Sequence, residues 1–125
     1  MKTLFLLPDT WDLAKDTQGN IAIATQEYQQ AQDIASSCRV FRWKSADGTE
    51  KGDDYYNQKE GIPYFDFLGK SKYPISLYQR HLHERSMLVN GVVSVDIKLQ
   101  LQKDRIALGS IEFTNENNLT GVIGL

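Results

Sequence analysis

His81-Leu82-His83-Glu84 is the densest run of metal-binding side chains in this sequence. Two ligands on one helix face need a spacing of three or four residues. Residues two apart on a helix point about 200° from each other, so His81 and His83 cannot share an ion there. The chain has 2 histidines in all, and no metal site is expected. A second set is acidic. Asp53, Asp54, Glu60 and Asp66 surround a cluster of aromatic residues, and paired carboxylates can cleave a glycosidic bond. Small loops commonly carry such charges in solvent, so a cell-wall glycosidase stands only as an alternative. Cys38 has no histidine near it in sequence to activate it, and no Gly-x-Ser-x-Gly elbow occurs. Gly48, Gly52 and Gly61 fit neither a phosphate loop nor a dinucleotide fingerprint. Arg42, Trp43 and Lys44 carry the types that stack on a single strand, but an acidic loop follows them. The expectation is a protein without catalytic residues or cofactor.

The bulk properties agree with that reading. A chain of 125 residues suits one domain over 1–125. By surface scaling such a chain buries about two-thirds of its surface, enough for a core without staples. Basic and acidic residues number 14 and 16, a net charge of −2, which excludes the strong positive field of a nucleic-acid or membrane-surface protein. One cysteine excludes an internal disulfide. The opening Leu4–Leu7 run is followed at once by Pro8 and Asp9. It is shorter than the ~7–15 apolar residues of a secretion signal. A short strand or packed arm, and synthesis in a cytoplasm, are the expectations.

Any interaction surface must be positioned by a few elements. Asp16, with Gly19 three residues on, marks the turn of a small hairpin between Trp11–Ala14 and Asn20–Ala24. Thr25 is placed to cap a helix whose stripe runs Tyr28, Ala31, Ile34, Ala35, Cys38 and Phe41, four to five turns long. Cys38 lies in that stripe as a small buried hydrophobe. Lys44–Asp54 is polar with two glycines and predicts an exposed, mobile loop. The aromatic stretch Asp54–Gly69 is too punctuated by Gly and Pro for one regular element. Pro74–Leu88 predicts a second helix, capped near Ser71, with Ile75, Tyr78, Leu82 and Val89 tracing its buried face, and stopped by Gly91.

From Val93 to Gln102 apolar residues fall on odd numbers and polar ones on even numbers, which predicts a strand with one wet face. Lys103–Arg105 turns into a second strand, Ile106–Thr114, with a bulge expected at Gly109 where the apolar phase shifts. Leu119–Leu125 forms a last strand. The fold class is α+β: a small antiparallel sheet (C-terminal meander plus N-terminal hairpin) packed against two helices. The last strand is apolar and uncharged, a template for strand addition by another chain. Leu119, Thr120, Val122, Ile123 and Leu125 are therefore the candidate strand-addition interface. The alternative is that the N-terminal segment covers this edge. Tyr55, Tyr56, Tyr64 and Phe65 are a second candidate interface, because aromatic anchors dominate binding hot spots.

The ordered series Trp11-Asp12-Leu13, Gly19-Asn20-Ile21, Tyr28–Ala35, Gly61-Ile62-Pro63-Tyr64, Leu68-Gly69 and Val89–Val95 resembles the small baseplate wedge, or sheath-initiator, proteins of contractile-tailed phages. The resemblance covers roughly Trp11 to Phe113. It implies a structural protein of the virion tail baseplate, present in multiple copies in a symmetric assembly. Its implied partners are the tail sheath protein, other baseplate wedge proteins and tail tube or hub proteins. The first sheath ring would add strands to its sheet, and Tyr55, Tyr56, Tyr64 and Phe65 would face the wedge. Two features depart from the family. A Glu-Pro-Arg sequence common before the alternating strand is replaced by Val89-Asn90-Gly91, and Lys44–Asp53 looks like an insertion. A tail-completion or connector protein is a further alternative.

Overall fold

The computed structural model describes residues 3–67, 75–101 and 107–124. Its elements run β1 (Thr3–Leu4), β2 (Ile23–Ala24), α1 (Gln26–Ser37), β3 (Arg42–Lys44), β4 (Glu50–Gly52), α2 (Tyr64–Phe67), α3 (Ile75–Met87), β5 (Val92–Leu101), β6 (Ala107–Asn115) and β7 (Thr120–Gly124). The small antiparallel sheets and helices make this the expected α+β class.

Alternation in the sequence becomes the three-stranded antiparallel sheet β5-β6-β7. Val95, Ile97 and Leu99 turn toward the core, and Asp96, Lys98 and Gln100 stay exposed. Val93 breaks the odd-number rule. The pairing register shifts between Val92 and Ser94, which turns Val92 inward and leaves Val93 57% exposed. The bulge therefore lies there and not at Gly109. From Ser94↔Thr114 to Leu101↔Ala107 the register is unbroken. Gly109 has a different purpose: a Cβ on it would stand 1.9 Å from the Lys98 carbonyl oxygen, so only glycine lets the strands approach there.

Helix α1 packs over β7 and helix α3 over β5, on the same side as the core. Ile34 and Cys38 from the first, Leu82 from the second, and Ile111 and Phe113 from the sheet are buried together with Ile62. Burial of each large apolar side chain contributes about 1.5–3 kcal/mol. The helix α1 is shorter than its stripe suggests. It stops at Ser37, with Cys38 as its C-cap. Val40 and Phe41 leave the helix because Ile62 donates its N–H to the Val40 carbonyl at 2.9 Å, and Phe41 bridges Ile62 in parallel. Thr25 occupies the N-cap position without a side-chain cap bond, and Gln26 beside it takes φ 54. Helix α3 ends at Met87, before the expected stop at Gly91; Gly91, at φ 84, lies instead in the turn that Val92 N–H closes on Val89 O.

Segment 44–54 holds the end of β3 and all of β4, so the expected loop is confined to the exposed tip of the β3–β4 hairpin. Its turn repeats a geometry found twice more. Ser45 N–H donates to Thr49 O and Gly48 N–H to Ser45 O. Asp16, Gly19 and Asn20 repeat this pattern, as do Asn115, Asn118 and Leu119. Each is a three-residue loop whose last member takes positive φ: Gly19 at 84°, Gly48 at 83° and Asn118 at 59°. The Asp16 turn joins Lys15 to Ile21 as an isolated bridge, and Ile23–Ala24 pairs instead with Thr3–Leu4. Leu68-Gly69, the Ser71 cap, Pro74, the Lys103–Arg105 turn, Ile106 and Leu125 lie outside the described residues.

Candidate strand-acceptor edge

Strand β7 pairs with β6 on one side only; among the described residues nothing pairs with its other side. The hairpin that launches it fixes which backbone groups are open. Asn115 N–H donates to Leu119 O at 2.9 Å, which makes these two a hydrogen-bonded pair. Such pairs recur at every second residue of an antiparallel ladder. Gly121 and Ile123, opposite Phe113 and Ile111, therefore direct their N–H and C=O groups to β6. Those of Thr120, Val122 and Gly124 point to the open edge. Asn115 anchors the geometry: its side-chain oxygen accepts from the N–H groups of Asn117 and Leu119, both at 3.0 Å.

Within β7 the side chains divide by parity: Ile123 packs against the core, whereas Val122 is 64% exposed; Leu119, just before the strand, is 40% exposed. Thr120 is exposed on the outer face. Leu125 is not among the described residues.

Among the described residues the N-terminal arm forms no strand pairing with this edge; it lies along α1. Tyr28 stacks on Phe5 with ring centroids 4.5 Å apart and donates its hydroxyl to the Leu6 carbonyl at 2.6 Å. The Gln32 amide accepts from Leu6 N–H at 3.0 Å and donates to Leu4 O at 2.7 Å. A groove of about 290 Å³ is left between the arm and β7. Its walls include Leu7, Pro8 and Trp11 from the arm, Gln32 and Arg39 from the first helix and its exit, and Val122, Ile123 and Gly124 from the strand. Arg39 is exposed and lies 3.9 Å over the Trp11 ring.

The four aromatic candidates are separated by the fold. Tyr55 and Tyr56 are 86% and 94% exposed and meet edge to face. Phe65, 60% exposed, meets Phe41 and Trp43 edge to face. Tyr64 packs on the core and donates its hydroxyl to the Cys38 carbonyl at 2.5 Å.

The residues with chemical potential have structural partners. Asp53 accepts from Phe41 N–H at 3.2 Å, and Asp54 accepts from Tyr56 N–H at 2.9 Å. Glu60 pairs with Arg85. The side chain of Asp66 is not among those described. Cys38 lies 3.9 Å from the Ser86 hydroxyl, and burial pushes its thiol pKa up. Burial, and then Arg42 nearby, lower the pKa of His81. Among the described residues no three His, Cys, Asp or Glu side chains gather as a metal-holding set, and no helix is long and apolar enough to cross a membrane.

The last strand read from the sequence is an outer strand of the sheet, whereas the groove beside it has no local sequence signal. Trp11 and Arg39 are far apart in sequence, and no local pattern announces their contact. Comparison with protein-family models and with curated proteins finds no match.

Proposed function

We propose that this protein is a structural subunit of a contractile-tail baseplate, joining the wedge and tube region to the first sheath ring by β-strand addition at β7. The observation that carries the reading is the open row of backbone groups on Thr120, Val122 and Gly124. An edge of this kind offers hydrogen bonds to a second chain, and alternate side chains set its register. The ordered motifs from Trp11 to Phe113, with their resemblance to sheath-initiator proteins, supply the setting. The partners in this reading are the tail sheath protein, the neighbouring wedge proteins and the tube or hub. Exposed Tyr55, Tyr56 and Phe65 support a separate contact with the wedge.

Deletion of residues 119–125 is a poor test, because Ile123 packs against buried Ile111 and Phe113. Val122→Pro is cleaner. It removes an outward N–H and no bond to β6. Particles carrying it should build baseplates that fail to grow a sheath, as counted by electron microscopy. Sheaths of normal number and length on such particles would overturn the proposal.

A further inference from the structure

We infer that the groove beside β7 reads a carboxylate, so that the strand added there carries an acidic residue on its groove-facing side, bound by Arg39. This rests on the strand-addition reading and adds the chemistry of the partner. The partner is an extended segment of another chain, apolar at alternate positions, with one Asp or Glu among them.

Parity gives the first step. A strand bonded to Thr120, Val122 and Gly124 places its residues opposite Gly121 and Ile123 on the core side of the sheet, over the groove. That side is apolar where Leu7, Pro8 and Ile123 line it. Gly121 contributes no side chain, and the Phe113 ring lies over it, where a Cβ would meet it at 2.5 Å, so the core side is apolar at that point too. Alternate apolar residues fit these positions.

Arg39 gives the second step. Its guanidinium stacks over Trp11 and forms no ion pair with a carboxylate among the described residues. A stacked guanidinium keeps its planar edge of N–H donors available, and that fork matches a carboxylate. Stacking also limits the freedom lost on binding. Arg39 and Gly124 both line the groove, so the reader stands at the C-terminal end of β7. Arg39, Ala35, Ile123 and Gly124 also line a second cavity, of about 260 Å³, which reaches Tyr78 and Leu99. Arg39 is the charged residue among those that line the two cavities.

Three blocked seven-residue peptides alternating threonine and valine serve as probes, titrated into the full chain and followed by NMR. The first has aspartate in place of the valine at its second position and asparagine at its sixth, the next has these two exchanged, and the last has asparagine at both. One aspartate peptide should bind about fivefold tighter than the asparagine peptide, the upper range for a solvent-accessible ion pair. Which one does so reports strand direction. Arg39→Gln should erase that difference and leave the asparagine peptide unchanged, while Val122→Pro should weaken all three. Equal binding of the peptides, with Val122→Pro still weakening them, overturns the Arg39 assignment and leaves the edge reading intact. No binding, or binding indifferent to Val122→Pro, overturns both. A chain that closes this edge by pairing β7 with β7 of a second copy, seen as a doubled mass lost in Val122→Pro, also overturns it.

Discussion

Proline substitution along β7 tests the placement of the open edge, because two adjacent positions must respond oppositely. Val122 directs its N–H outward and its side chain is largely in solvent at 64% exposure. Val122→Pro then loses no ladder bond and little burial. Edge strands accept proline on this side, and the stability cost should be about 1 kcal/mol or less. Ile123 directs its N–H toward Ile111, within the β6 pairing. Ile123→Pro loses that bond and leaves the facing carbonyl without a donor, about 1–3 kcal/mol. It also loses the packed isoleucine, about 2–3 kcal/mol more. The sum is roughly 3–6 kcal/mol, a large part of the 5–15 kcal/mol that holds a domain together. Ile123→Ala separates the packing part from the backbone part. Urea unfolding followed by circular dichroism reads all three, with the slope checked for constancy. In strand addition the order reverses in meaning: Val122→Pro removes a donor to the partner and sets its ring in the partner's path, a loss of at least about tenfold in affinity. Equal destabilisation by Val122→Pro and Ile123→Pro, or the greater loss at Val122, would refute the parity assignment and the edge with it.

Three further outcomes follow from the turns and the sheet. Asn118→Gly should raise stability by about 0.5–1 kcal/mol, since Asn118 holds φ 59 where glycine is unstrained; thermal melting would show a rise of a few degrees, and a fall would refute it. Gly109→Ala should cost about 3 kcal/mol or more, because the new Cβ meets the Lys98 carbonyl at 1.9 Å; an unchanged urea midpoint would contradict the unbroken register. Hydrogen bonds from Ser45 and then Thr49 hold the Asp47 carboxyl down to about 2, against an ordinary value of 3.8. A depressed carboxyl stabilises fully above its unfolded value and loses that contribution as pH falls through its folded one. Asp47→Asn should therefore flatten the loss of stability between about pH 4 and pH 2, and parallel acid-unfolding curves would refute the role of Asp47.

What the sequence disclosed divides by distance along the chain. Alternation from Ser94 along β5 and the stripe of α1 as far as Ser37 are local, and both elements formed there. The Asp16–Gly19 spacing announced a turn, and it formed. The same spacing stands at Ser45–Gly48, yet the surrounding polarity hid it, so a hairpin was expected to be a mobile loop. The failures elsewhere are non-local. Phe41 continues the helical stripe, but its backbone is claimed by Ile62 twenty-one residues later. Gly109 marks a phase shift that suggests a bulge, whereas the reason for glycine is the strand beside it. The groove depends on the arm reaching α1 through Leu6, Tyr28 and Gln32, contacts separated by 22 and 26 residues.

The meander has two outer strands, and their composition argues for which one receives a partner. On β5 the exposed positions alternate through Asp96, Lys98 and Gln100, and Lys98 pairs with Glu112 across the sheet at 2.9 Å. Charged side chains along an edge make pairing with a second chain costly, because some must be desolvated or opposed. Strand β7 reads Thr-Gly-Val-Ile-Gly, with no charge and no proline. Two of its five residues are glycines, so an approaching backbone meets little steric resistance there. Beside β7 the groove supplies apolar walls, which favour burial of the alternate side chains of an incoming strand. Backbone donors, apolar floor and absent charge all coincide at β7, and at β5 the charge opposes them. Selection between the edges thus follows from desolvation cost, and exchanging Val122 for lysine should bring β7 under the same penalty that protects β5.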